Sequence, residues 1–161
     1  MPGLDDLYRE IILDHYRSPR NRGELPVPPA RHAEGHNPLC GDEVTVFLTV
    51  DDVDGVPTVT DVKVTGQGCS ISQSSASMMS QAVKGKPVAD TEALFHRFKT
   101  LMGVEGADGA GDGRGDVELA EDDVRALGDL AALQGVVKFP VRIKCATLAW
   151  NTLDQALHSA V

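Results

Sequence analysis

Residues 44–69 read VTVFLTVDDVDGVPTVTDVKVTGQGC, and this stretch decides the architecture. Val44, Val46, Leu48 and Val50 alternate with Thr45, Phe47 and Thr49, the two-residue period of a strand with one buried face. Asp54-Gly55 supplies a tight turn, and residues 58–65 form a second strand, so an antiparallel hairpin is expected. Gly66-Gln67-Gly68 then breaks the strand and delivers Cys69 to the start of a helix.

Helical periods flank the hairpin. Leu4, Leu7, Tyr8, Ile11, Ile12 and His15 recur at three- and four-residue steps, which predicts an amphipathic helix over 4–17 that Pro19 stops. A Pro-rich extended segment, 25–29, and a polar stretch lead to Cys40. After Cys69, residues 70–84 read as a helix ended by Gly85. Asp90 or Thr91 caps another, with Leu94, Phe95, Phe98, Leu101 and Met102 on one side. Residues 103–116 are Gly-rich, acidic and almost without apolar side chains, a flexible insertion (about 103–118) rather than a domain linker. A short helix is expected over 120–133, carrying Val124, Leu127, Leu130 and Leu133. The last helix starts near Pro140, which suits a first turn, and places Cys145 near its beginning. The expected fold is α+β in one domain, 1–161: a small antiparallel β-sheet of about three strands, with helices packed on one side.

With 161 residues, 42% hydrophobic and 24% charged, the chain can bury a core without staples. Its 24 acidic and 15 basic side chains give a net charge of −9, which argues against nucleic acid as a partner. The basic stretch 16–22 is either a contact for a protein partner or a solvated helix end. No apolar run approaches the ~20 residues of a membrane span. Met1-Pro2-Gly3-Leu4-Asp5-Asp6 is acidic and leads into a helix instead of resembling a secretory signal. A reducing, cytoplasmic compartment is the expectation, and there cysteines are more often catalytic or metal-bound than bridged.

Three cysteines and one aspartate are the candidates for chemistry: Cys40, Cys69, Cys145 and Asp42. Three thiolates and a carboxylate make the four donors of a tetrahedral zinc. The alternative is that the cysteines are small buried hydrophobes, and spacings of 29 and 76 residues match no short metal motif. Cys69 and Cys145 fall near helix N-termini, where the dipole favours a thiolate. Cys40 lies in the turn Pro38-Leu39-Cys40-Gly41-Asp42, a position suited to a reacting group. His15, His32, His36, His96 and His158 are scattered; His36 comes nearest to Cys40 in sequence, although a lone loop histidine is usually just solvated. There is no Cys-x-x-Cys for dithiol redox chemistry and no phosphate-cradling loop.

Four segments carry a resemblance: 8–21 (YREIILDHYRSPRN), 37–42 (NPLCGD), 66–79 (GQGCSISQSSASMM) and 142–150 (RIKCATLAW). Together they are similar to the SufU branch of the IscU/NifU N-terminal family, which handles sulfur for iron–sulfur cluster assembly. Two features favour that branch. IscU-type scaffolds carry a histidine before the last cysteine, where this chain has Lys144, and the long run from Cys69 to Cys145 matches an insertion typical of SufU. The resemblance implies that Cys40, Asp42, Cys69 and Cys145 hold one zinc. It also implies that Cys40 accepts persulfide sulfur from a SufS-type cysteine desulfurase, a histidine of which displaces Cys40 from the metal. The sulfur would pass to a downstream iron–sulfur assembly complex. Arg142, one turn before Cys145, would steady the thiolates or contact the partner; an ordinary surface arginine is the other reading. The alternative function is a scaffold, with iron or a [2Fe–2S] cluster on the same donors. A third possibility is zinc as a purely structural ion.

Overall fold

The computed structural model describes residues 2–27, 29–38, 41–103 and 127–158. In chain order they form α1 (Pro2–Arg17), β1 (Arg31–Asn37), β2 (Asp42–Val53), β3 (Val56–Gln67), α2 (Ser70–Val83), α3 (Val88–Leu101), a 3₁₀ helix (Gly128–Lys138) and α4 (Pro140–His158). The strands make one antiparallel sheet in the order β1-β2-β3.

The hairpin forms as its alternation requires. Val44, Val46 and Leu48 turn inward with Val59, Val62 and Val64, while Thr45, Phe47 and Thr49 stay partly exposed. Thr49 pairs with Asp61 and Val50 with Val59, so Thr60 is an extra residue in β3. That bulge reverses the facing of everything beyond it and brings Val59 to the same side as Val62 and Val64. The outer face carries a stack of His32 on Phe47, with centroids 5.9 Å apart.

The polar stretch before Cys40 is not a loop: it is the edge strand β1. Its inward positions are Arg31, Ala33, Gly35 and Asn37, with hardly any apolar side chain among them. The reason is α4, which lies so close that a Cβ on Gly35 would fall on Thr152 Oγ1. Small residues let helix and strand approach, and they erase the hydrophobic alternation that would have marked the strand.

The helices cover the inner face of the sheet. Trp150 of α4 is fully buried and sits between Phe95 and Phe98 of α3, both centroids 5.4 Å from its own. α3 begins at Val88 after Pro87, so Asp90 and Thr91 lie within its first turn rather than capping it. The helix expected over 120–133 lies partly outside the described residues, and from Gly128 it is 3₁₀, running on to Lys138. Leu127, Leu130, Leu133 and Val136 are all buried, at a strict three-residue step. That step aligns side chains along the axis when a turn holds three residues, and would spiral away at 3.6. The acidic insertion lies, from residue 104, outside the described residues.

Candidate metal centre

Three elements end at one place. Asp42 opens β2, Cys69 is the N-cap of α2, and Cys145 stands in the second turn of α4. One ligand atom from each lies within 4.8 Å of the others. Asp42 and Cys145 are fully buried, and Cys69 is half-buried.

The local sequence explains the convergence. β2 and β3 pair up to Glu43↔Gln67, so the turn leaving β3 passes beside Asp42. Gly66 and Gly68 take φ of 146° and 156°, values that side chains rarely adopt. A Cβ on Gly68 would fall on the Asp42 carboxylate, so the bare glycine is what makes room for it. The Cys69 backbone N–H then donates to Asp42 Oδ1 at 2.9 Å, and Asp42 Oδ2 lies 4.0 Å from Cys69 Sγ. Ser72 N–H donates to Cys69 Sγ at 3.4 Å, an N-cap bond made by a thiol in place of the usual hydroxyl. On the α4 side, Asn37 Nδ2 donates to Cys145 Sγ at 3.7 Å. Ser75 Oγ donates to the Ala146 carbonyl at 2.6 Å and fixes α2 to α4 one residue past Cys145.

A buried carboxylate is costly unless its charge is paired. Among the described residues Asp42 has no ion pair with Lys, Arg or His. Two cysteine sulfurs and one carboxylate converging on one point suit a borderline-soft divalent ion such as zinc. The backbone N–H on Oδ1 and the Asn37 amide on Sγ would orient the donors from outside.

Cys40 lies outside the described residues. Arg142 is exposed on the first turn of α4 and lines, together with Cys69, a groove between α1 and the start of α4. Lys144 is exposed. His36 projects from the outer side of β1, opposite to Asn37, so it does not join the three donors. Asn37 is the contributor that residue-by-residue reading missed. It became recognisable only with β1, as the last of the inward series Ala33, Gly35, Asn37.

The basic stretch after α1 is used internally. Arg20 pairs with Asp14 at 2.6 Å, and its N–H donates to Ser77 Oγ at 2.8 Å. Asn21 Nδ2 donates to Ser80 Oγ at 3.1 Å. His15 is fully buried between Ser77 Oγ at 2.7 Å and Asp129 Oδ2 at 2.8 Å, which joins α1, α2 and the 3₁₀ helix.

Over residues 7–146 the sequence matches the NifU-like N terminal domain. The chain belongs to this family. Within it, the chain is 42% identical over 155 residues to the zinc-dependent sulfurtransferase SufU of Bacillus subtilis, covering 96% of this chain and 91% of that one. It is 34% identical over 154 residues to the iron–sulfur cluster assembly scaffold protein IscU of Streptococcus pyogenes, covering 96% and 84%. Among solved structures, a candidate iron–sulfur cluster assembly scaffold for the SUF system from Fervidobacterium islandicum superposes with a TM-score of 0.72. It is 29% identical and the match covers 92% of this chain and 94% of that one. The α+β architecture is therefore that of the NifU-like family. Among the described residues no helix is long and apolar enough to cross a membrane.

Proposed function

We propose that this chain is an iron–sulfur cluster assembly protein that works in the cytoplasm, as a single domain, as a zinc-dependent sulfurtransferase. Its sulfur donor is a cysteine desulfurase of the SufS type, and its product passes to a downstream assembly complex. The observation that carries the proposal is the convergence of Asp42, Cys69 and Cys145 within 4.8 Å, with the carboxylate buried and without an ion pair among the described residues. The likeness to the Bacillus subtilis protein supports it. So does Lys144, which occupies the place where a scaffold of the family has an imidazole.

Asp42, Cys69, Cys145 and Cys40 would hold the zinc, which keeps sulfurs deprotonated without oxidising them. Cys40, two residues from Asp42, would be the acceptor. Its thiolate attacks the outer sulfur of the desulfurase persulfide. The new bond joins that sulfur to Cys40, the old S–S bond breaks, and the desulfurase cysteine leaves as a thiolate; no external oxidant or reductant is needed. Arg142, exposed beside the groove that Cys69 lines, would help to neutralise the departing or arriving sulfur.

The test is sulfur transfer itself. Full-length protein is incubated with a SufS-type desulfurase and cysteine, and its peptides are weighed. One added sulfur on the Cys40 peptide, absent in a folded Cys40→Ala variant that also fails to stimulate the desulfurase, is the expected result. Full stimulation by Cys40→Ala would remove Cys40 as acceptor. The second function, assembly of a [2Fe–2S] cluster on the same donors, is favoured by the likeness to the Streptococcus pyogenes scaffold. It would appear as iron and sulfide bound in the absence of zinc.

A further inference from the structure

Cys69 hangs on a turn with little stiffness of its own. Gly66-Gln67-Gly68 contains two glycines at positive φ, the residue type with the most conformational freedom to lose. The thiol nevertheless has to stay within 4.8 Å of donors on two other elements. An outside restraint is present. β3 is the free edge of the sheet, and the segment following α1 pairs with it: Val64 N–H donates to the Asn21 carbonyl at 2.9 Å, and Gly23 N–H to the Val64 carbonyl at 3.2 Å. Arg22, held between these two bonds, sends its side chain along the edge to the next outward carbonyl, that of Gly66. The other arm of the guanidinium donates to Gln73 Oε1 at 3.0 Å. Gln73 lies in the first turn of α2, and its own N–H donates to the Cys69 carbonyl at 3.0 Å. One guanidinium thus bridges the first residue of the turn and the first turn of the helix that follows Cys69.

We propose that Arg22 is a positioning residue for Cys69, fixing the two-glycine turn from both ends so that the thiol and the Asp42-directed N–H keep their places. A guanidinium can do this because its donors form a flat, preorganised fork; the ammonium of lysine offers a single point and cannot span both acceptors equally. Both contacts are exposed, so their contribution to global stability is small. Their effect is local. The proposal takes from the proposed function only that Cys69 holds a metal.

The experiment compares full-length wild type, Arg22→Gln, Arg22→Lys and, as reference, Asp42→Ala. Zinc affinity is measured by competition with a chromophoric chelator, and the visible spectrum of the cobalt-substituted protein is recorded. The melting temperature and the rate of Cys69 alkylation by iodoacetamide are measured without metal. For Arg22→Gln, zinc binding several-fold weaker is expected, the effect of losing one exposed charge-assisted contact. An altered cobalt spectrum, an unchanged metal-free melting temperature and several-fold faster alkylation should accompany it, with partial rescue by lysine. Wild-type affinity, spectrum and alkylation in Arg22→Gln would overturn the proposal, and so would a loss of affinity matched by a loss of metal-free stability. If Asp42→Ala binds zinc as well as wild type, the metal assignment falls instead. Alkylation of Cys69 then decides for or against Arg22 alone.

Discussion

α2 and α4 both cross the inner side of the sheet, yet they are held by different forces. α4 is anchored by surface burial: Trp150 lies between Phe95 and Phe98, and Ala146, Ala149, Leu153 and Ala156 are buried along it. α2 buries five serines, Ser72, Ser74, Ser75, Ser77 and Ser80, beside Ala76, Met78, Met79 and Val83. Three of those hydroxyls are matched to partners on other elements: Ser75 to the Ala146 carbonyl, Ser77 to His15 and Arg20, Ser80 to Asn21. Apolar contact is strong but weakly directional, whereas a buried hydrogen bond adds little net energy and is expensive to misplace. The helix that must deliver Cys69 to a fixed point is thus the one held by directional bonds. α4 also brings a donor, Cys145, but there the Ser75 bond to Ala146 fixes it, and the apolar burial around Trp150 lies further along the helix.

That division can be broken from either side. The largest effect is expected from Trp150→Ala, which should destabilise the protein by about 3–5 kcal/mol through the cavity it leaves. Denaturant unfolding would measure this, and zinc affinity of the protein that remains folded should be unchanged. Tight coupling of the two in this variant would dissolve the distinction. His15→Ala should cost less, about 2 kcal/mol, because Ser77 and Asp129 lose a shared partner that is fully buried. Here zinc affinity should fall as well, by several-fold in chelator competition, since α2 loses its tie to α1 and the 3₁₀ helix.

The smallest effect concerns an exposed pair. The hydrogen bond from Arg20 holds the Asp14 carboxyl below the usual carboxylate range. A depressed value in the folded state stabilises the fold above the unfolded value and is lost as the pH falls through the folded one. Asp14→Asn should therefore lower the melting temperature slightly at neutral pH, and the difference should shrink as the pH falls through the lowered folded-state value. A gap that persists in acid would assign the effect to something other than the charge.

The sequence was legible where one physical signal dominated. The hairpin followed from Val44, Val46 and Leu48, and the glycine turn from residues 66–68. β1 was hidden because close approach of α4 leaves Arg31, Ala33, Gly35 and Asn37 on its inner side, with no apolar alternation to read. The 3₁₀ helix was hidden because Leu127, Leu130 and Leu133 satisfy a sparse α-helical stripe as well as a threefold one. At the site, Asp42, Cys69 and Cys145 could be singled out as donors, but nothing local to them indicated that they meet. Asn37 and Gly68 act through the space they fill or leave, which only the assembled sheet defines.

The most direct measurement is the metal content of the full-length protein purified without chelator, together with its visible absorption spectrum. One zinc per chain in a colourless solution, lost in the Asp42→Ala variant, is the expected result. Iron and sulfide in a brown solution, or protein with no bound metal at all, would contradict a zinc-dependent sulfur carrier.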